Sequence, residues 1–127
     1  MHKIILDTNM LMAIGQFNVD IFLEIERICN FKYELCILDR QTKELEEIRK
    51  KRGKDSRAAK LATDLIKNKK VKIIKTISEK DVDSQILEFA QKNNYIVATQ
   101  DKELKNRLKR KNLQVIFLRQ KKYLELR

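Results

Sequence analysis

The chain contains no proline and no tryptophan, two glycines, two cysteines and one histidine. Gly15 and Gly53 stand alone, so there is no glycine-rich loop whose backbone amides could cradle a nucleotide phosphate. His2 is the only imidazole and lies at the frayed start of the chain, which argues against Ser-His or Cys-His catalysis and against histidine-ligated zinc. Cys29 and Cys36 match no zinc spacing and form no Cys-x-x-Cys pair, so they are expected to be reduced, buried and to behave as small hydrophobes. With aromatics at 6%, the core must be built mainly of Ile, Leu and Val. Met-His-Lys runs straight into a short apolar strand, too short for a signal peptide or a membrane span. A cytoplasmic protein with no membrane partner is the expectation.

What is present is charge. Lys and Arg number 29 against 18 Asp and Glu, a formal net charge of +11. Such a balance favours phosphate-rich partners, although a Lys-rich solvated surface gives the same total. At 127 residues with 43% hydrophobic content, the chain is read as a single domain over 1–127 with a core of its own.

Five short apolar runs read as strands: Ile4-Ile5-Leu6, Leu35-Cys36-Ile37-Leu38, Val71-Lys72-Ile73-Ile74, Tyr95-Ile96-Val97-Ala98 and Val115-Ile116-Phe117-Leu118. The first, second and fourth are nearly unbroken, as strands covered on both faces should be. Helical periodicity occupies about 18–30, 40–51, 55–69, 79–92 and 101–111, with Ser78-Glu79-Lys80-Asp81 resembling a capping box before Val82. This alternation predicts an α/β fold of three α/β/α layers around a parallel sheet of about five strands. Residues 119–127 form a C-terminal extension that fits a last helix, a dimer arm or a basic tether.

Ligands of open parallel sheets bind beyond the carboxyl ends of the strands. Asp7 follows the first strand and Asp101 the fourth; the second leads through Asp39 to a helix carrying Glu44, the third through Ser78 to one carrying Asp83. At about 100° per residue, Asp83 falls within the apolar arc of Val82, Ile86, Leu87, Phe89 and Ala90, while Asp81, Ser84 and Glu88 fall outside. Glu44 likewise lies nearer the inward direction of Leu45 and Ile48 than Glu46 or Glu47. Taken singly, Asp7 and Asp101 are ordinary N-caps, Asp83 a first-turn acid and Glu44 a surface glutamate. Four acids meeting at one sheet edge are another matter, because clustered carboxylates repel unless a cation sits among them. All-oxygen ligation selects a hard ion, Mg²⁺ or Mn²⁺, able to activate water for attack on a phosphodiester. Asn9 and Thr99 are the natural donors to orient those carboxylates, or else turn and cap residues.

Leu6-Asp7-Thr8-Asn9, Lys43-Glu44-Leu45-Glu46, Val82-Asp83-Ser84-Gln85-Ile86-Leu87 and Val97-Ala98-Thr99-Gln100-Asp101-Lys102-Glu103-Leu104-Lys105 together resemble the PIN-domain nucleases, in order, from residue 3 to about 118. The last motif looks closest to PIN proteins of ribosomal RNA processing, while the small size is similar to VapC toxins. The resemblance implies a PIN-like fold, Asp7, Glu44, Asp83 and Asp101 as catalytic metal ligands, and cleavage of single-stranded RNA leaving a 5′-phosphate. It also brings in an antitoxin or a pre-ribosomal partner, and a homodimer. Where many relatives carry a second acid after the third motif's Asp, this chain has Ser84, which bears on the number of bound metals.

RNA contacts are expected from Arg49, Lys50, Lys51 and Arg52, from the stretch 67–72, and from Lys102, Lys105, Arg107, Lys109 and Arg110; each single lysine can equally be a solvated surface group. The alternative to an endoribonuclease is a catalytically inactive PIN-like module for RNA binding or assembly. A receiver-like phosphoacceptor fits poorly, since Ile74 is followed by Lys75 and Thr76 where an acceptor Asp is needed.

Overall fold

Runs of β-branched and apolar residues too short for a helix form the strands, and the segments between them coil onto the two faces of the sheet they make. The computed structural model describes residues 1–77 and 79–127. Its elements are β1 (His2–Leu6), α1 (Thr8–Phe17), α2 (Ile21–Ile28), β2 (Tyr33–Leu38), α3 (Asp39–Arg49), α4 (Lys54–Asn68), β3 (Lys72–Ile74), α5 (Val82–Asn93), β4 (Ile96–Ala98), α6 (Lys102–Arg110), β5 (Val115–Arg119) and β6 (Tyr123–Leu126). Among the described residues they build a six-stranded sheet in the order β3-β2-β1-β4-β5-β6. The first five strands run parallel, and β6 closes the edge antiparallel to β5.

Alternation along the strands divides the core in two. Ile4, Leu6, Ile37, Ile96, Ala98 and Ile116 pack with side chains of α1, α2, α3 and α4 on one face. Ile5, Cys36, Leu38, Val97, Val115 and Phe117 pack with Ile86 and Ala90 of α5 and Leu104 and Leu108 of α6 on the other. The three-layer α/β/α class is therefore as expected, and both cysteines are free and buried.

Four expectations need correction. A helix not among the expected segments, α1, follows β1 directly; its Met10, Leu11, Met12 and Ala13 are all buried, so no polar face interrupts the run. Residues 119–127 are neither helix, arm nor tether: they complete β5, turn, and form the sixth strand. The helix expected over 79–92 begins at Val82, capped by Asp81, whose side chain accepts from Ser84 N at 3.1 Å. Ser78, the head of the expected capping box, lies outside the described residues. Finally, the helix expected over 18–30 is shorter, Ile21–Ile28, capped by Asp20.

Lacking proline and nearly lacking glycine, the chain ends two of its helices with asparagine. Asn18 after α1 and Asn94 after α5 both take the left-handed conformation that asparagine tolerates best among non-glycine residues.

Candidate functional site

The order of the strands sets the location. The chain starts at β1, moves outward through β2 and β3, then returns to place β4 on the other side of β1. Connections leaving β1 and β4 therefore diverge, opening a crevice at their carboxyl ends. Asp7 and Thr99 follow those two strands immediately and meet across the crevice: Thr99 Oγ1 donates to Asp7 Oδ2 at 2.7 Å.

Asp7 is the most constrained acid of the site. It caps α1, accepts from Thr8 N at 2.8 Å through Oδ1, and is 4% exposed. Burial pushes its carboxyl up to about 6, against the Thr99 and Thr8 hydrogen bonds, with the nearby Asp83 and Glu44 charges raising it further. Thr99 is itself fixed, because its hydroxyl accepts from Asp101 N at 3.0 Å. Asn9 does not reach a carboxylate. Its Oδ1 accepts from Gln100 N at 3.2 Å and lies 3.4 Å from Thr99 Oγ1, and its carbonyl accepts from Gln100 Nε2, which ties the first turn of α1 to the loop after β4.

Glu44 comes from the second turn of α3 and is half-buried, while Glu46 and Glu47 are exposed, as the helix phase predicts. It accepts from Thr8 Oγ1 at 2.8 Å. Asp83 lies in the first turn of α5, half-buried, beside the exposed Asp81. Burial raises its carboxyl, as do the charges of Asp101, Asp81 and Glu44, and Arg107 pulls it back. Asp101 caps α6 through Glu103 N at 2.8 Å and Leu104 N at 3.1 Å, on the far flank of Asp83.

Two clefts meet at Glu44 and Asp83. One, of about 380 Å³, also reaches Asp7 and Thr8 and is walled by Met12 and Ile48. The other, of about 540 Å³, carries Arg40, Lys43, Glu47 and Asp81. Asp7, Glu44 and Asp83 thus share one cleft, whereas Asp101 lines neither and reaches the site through its charge on Asp83. Among the described residues, however, no three acidic, histidine or cysteine side chains stand close enough to grip an ion between them as they are now turned.

Gln41 carries no expected role, yet it braces the site. Fully buried on α3, it accepts from Leu38 N at 2.7 Å, donates to Leu6 O at 2.6 Å, and places the same amide nitrogen 3.3 Å from Thr8 Oγ1. Gln41, Leu45 and Ile48 follow the i, i+4, i+7 spacing of one helix face, so a wheel of α3 flags the glutamine as inward-pointing. Asp39 is likewise structural: its carboxylate accepts from Thr76 Oγ1 at 2.8 Å and Thr76 N at 3.2 Å, binding α3 to the end of β3.

The basic residues separate by partner. Arg49 pairs with Glu46 at 3.4 Å and Lys50 with Glu47 at 3.5 Å, Lys51 lines the Asp7 cleft, and Arg52, Lys102 and Arg110 are exposed. Arg107 acts on Asp83, Lys105 lies over Phe117, and Lys109 reaches the main chain at Arg127.

Residues 4–121 match the family model described as a PIN-like domain. The chain is 42% identical over 130 residues to Ribonuclease VapC4 of Methanocaldococcus jannaschii, covering 99% of this chain and 97% of that protein. Its fold resembles that of the PIN domain endonuclease Utp24, with a TM-score of 0.79 at 22% identity over 98% of this chain and 90% of the other. A domain of a functionally unknown Methanocaldococcus jannaschii protein gives a TM-score of 0.62 at 16% identity, covering 94% and 92%.

Proposed function

This chain belongs to the PIN-like domain family, and on that premise we propose that it is a metal-dependent endoribonuclease that hydrolyses phosphodiester bonds of single-stranded RNA. One observation carries the proposal: Asp7, 4% exposed at the strand switch point, shares one cleft with Glu44 of α3 and Asp83 of α5, whose charges help to raise its carboxyl. Capping α1 and α6 accounts for Asp7 and Asp101 singly, but not for the convergence of Glu44 and Asp83 on Asp7, whose mutual repulsion a bound cation would relieve.

The donor chemistry of Asp7, Glu44, Asp83 and Asp101 fits a hard divalent ion, Mg²⁺ or Mn²⁺, because every donor is a carboxylate oxygen. Bound there, such an ion supplies an activated water and neutralises charge on the phosphoryl and leaving oxygens. The chain's own residues do the positioning. Thr8 N and Thr99 Oγ1 each occupy one oxygen of Asp7, leaving a lone pair on each for a ligand. Thr8 holds Glu44 at the mouth of the same cleft, and Arg107 keeps a positive charge beside Asp83.

The extensive identity to a relative named a ribonuclease of the VapC kind favours a toxin, with an antitoxin as its protein partner, over ribosomal RNA processing. The likeness to Utp24, at 22% identity, concerns the fold. A non-catalytic RNA-binding module is the second reading, favoured by the absence of a three-acid cluster among the described residues. Cutting of a single-stranded RNA in Mn²⁺ separates the two. Wild type is expected to cut, and Asp83→Asn to lose activity by at least a hundredfold while keeping its melting temperature. Undiminished cutting by Asp83→Asn, in a preparation free of other nucleases, refutes the site assignment.

A further inference from the structure

The basic stretches are not equivalent. At the end of α3, Arg49 pairs with Glu46, and Lys50 just beyond it pairs with Glu47. A second basic face runs along α6 and across the β5–β6 hairpin, and there the balance differs. Asp101, Lys105 and Lys109 are spaced i, i+4, i+8, so they form one stripe along α6, about 12 Å from end to end. Strand alternation puts Arg119 on the same side as Phe117, which packs with Leu104 and Leu108 of α6. Phe117 pairs with Glu125 across the hairpin, so Glu125 and Arg127 face that side too.

The side chains meet there. Lys105 Nζ sits 3.5 Å above the centre of the Phe117 ring, and the Arg127 guanidinium lies 5.9 Å from it. Lys109 Nζ donates to the main-chain oxygen of Arg127 at 2.6 Å. Arg119 and Arg127 both turn to Glu125, at 4.0 and 3.5 Å. Glu125 is thus shared by Arg119 and Arg127, while Lys105 lies on the Phe117 ring and Lys109 on the Arg127 main chain. Burial lowers the Lys105 ammonium, and Lys109, Arg119 and Arg127 lower it further, as expected of like charges held together.

We infer that this face is the track on which a single-stranded RNA backbone lies, with Lys105, Lys109, Arg119 and Arg127 neutralising its phosphates. Four crowded cations fit a polyanion, and α6, which carries two of them, is capped by Asp101, so a strand held on this face is led toward the acidic crevice. Along α6 the two lysines span about 6 Å, room for roughly two phosphates, and Arg119 and Arg127 extend the patch onto the hairpin. The inference rests on the nuclease proposal only for the direction of the strand.

The test is the salt dependence of binding for a fluorescein-labelled single-stranded oligoribonucleotide. It is made on the full chain in the Asp83→Asn background, so that no cutting intervenes. Lys105→Gln with Arg119→Gln is expected to flatten the slope of log K against log salt by about 1.4, and to weaken binding on the order of tenfold at 0.1 M salt. Arg49→Gln with Lys50→Gln should leave the slope unchanged, and Lys105→Arg with Arg119→Lys should restore it, excluding a folding defect. An unchanged slope in the Lys105/Arg119 pair, or a loss confined to the Arg49/Lys50 pair, overturns the track, and the face then belongs to another partner such as an acidic protein segment. Cutting by the chain with Asp83 intact is scored separately. Cutting with an unchanged slope sinks the track and spares the nuclease, and a flattened slope without cutting does the reverse.

Discussion

Gln41 is where fold and site are joined by one side chain. Its amide satisfies Leu38 N and Leu6 O, two backbone groups at the ends of adjacent strands, and steadies the threonine that holds Glu44. Gln41→Leu has nearly the same shape but strands those groups, at about 1–3 kcal/mol for each one left unmet. A thermal melt should fall by roughly 10 °C, and calorimetric titration with Mn²⁺ should weaken about tenfold because Thr8 loses its brace. A variant that melts and binds Mn²⁺ like wild type would show the bracing to be dispensable. Asp7 makes the opposite kind of prediction. Its carboxyl is raised from 3.8 to about 6, so ionising it opposes folding. The metal-free protein should therefore lose stability as pH climbs from about 4 to about 6 and stay at the lower level above, by on the order of 3 kcal/mol. Asp7→Asn should remove that loss, melting higher than wild type at pH 7.5 and level with it near pH 4. A wild-type advantage at pH 7.5 without metal contradicts the sign. That Asp7, Glu44 and Asp83 face one cleft was legible, because strand ends and helix phase picked them from crowded neighbourhoods. Gln41 was not, since a glutamine reads as surface until its neighbours Leu45 and Ile48 are placed on the same face.

Elements were legible in proportion to how plainly their burial shows as a pattern. β1, β2 and β4 lie side by side at the middle of the sheet and announce themselves as unbroken apolar runs. α1 has the same composition for a different reason: sheet and α4 cover it from two sides, so no polar stripe marks the helical period. Its contact with α4 is so close that a Cβ on Gly15 would stand 2.7 Å from both Cα and Cβ of Ala58. Gly15→Ala should therefore cost about 1–3 kcal/mol despite the higher helix propensity of alanine, checked by denaturant unfolding. A neutral or stabilising result would mean that α1 and α4 can slide apart. β6 was hidden by its turn. Lys122 N donates to Arg119 O at 3.0 Å, with Gln120 at φ 52° and Lys121 at φ 56°, where hairpins ordinarily carry Asn-Gly. A Gln-Lys pair gives no such signal, so the residues beyond it read as a last helix, a dimer arm or a basic tether. Left-handed backbone costs side-chain-bearing residues about 1 kcal/mol or more, and Lys121→Gly should recover roughly 0.5–1 kcal/mol. If unfolding shows a loss instead, the lysine side chain, whose ammonium lies 5.2 Å from the centre of the Phe17 ring, is worth more than the strain.

The molecule as a whole is a basic protein whose switch-point acids, Asp7 and Asp83, are strained by burial and by neighbouring carboxylates rather than by the surrounding positive charge. Among the described residues, the four acids are set by separate pieces of the sheet edge: Asp7 by β1, Glu44 by α3, Asp83 by α5 and Asp101 by the loop after β4. Their spacing thus depends on the folded state, and the unfolded chain has no comparable site. Anything that binds the four together must stabilise folding by RT ln(1 + [L]/Kd), about 2.7 kcal/mol at a hundredfold excess over Kd. For a chain of 127 residues this is a rise of roughly 10 °C. Mn²⁺ should produce that rise in the wild type and little in Asp7→Asn, whose advantage without metal then reverses. Two melting curves for each protein, with Mn²⁺ and with EDTA, should therefore cross in rank. Na⁺ at matched ionic strength should not reproduce the effect, because screening acts on every charge of a protein at +11 and not on one hollow. Parallel shifts in both proteins would place the ion elsewhere on the surface and leave the acids at the switch point without their cation.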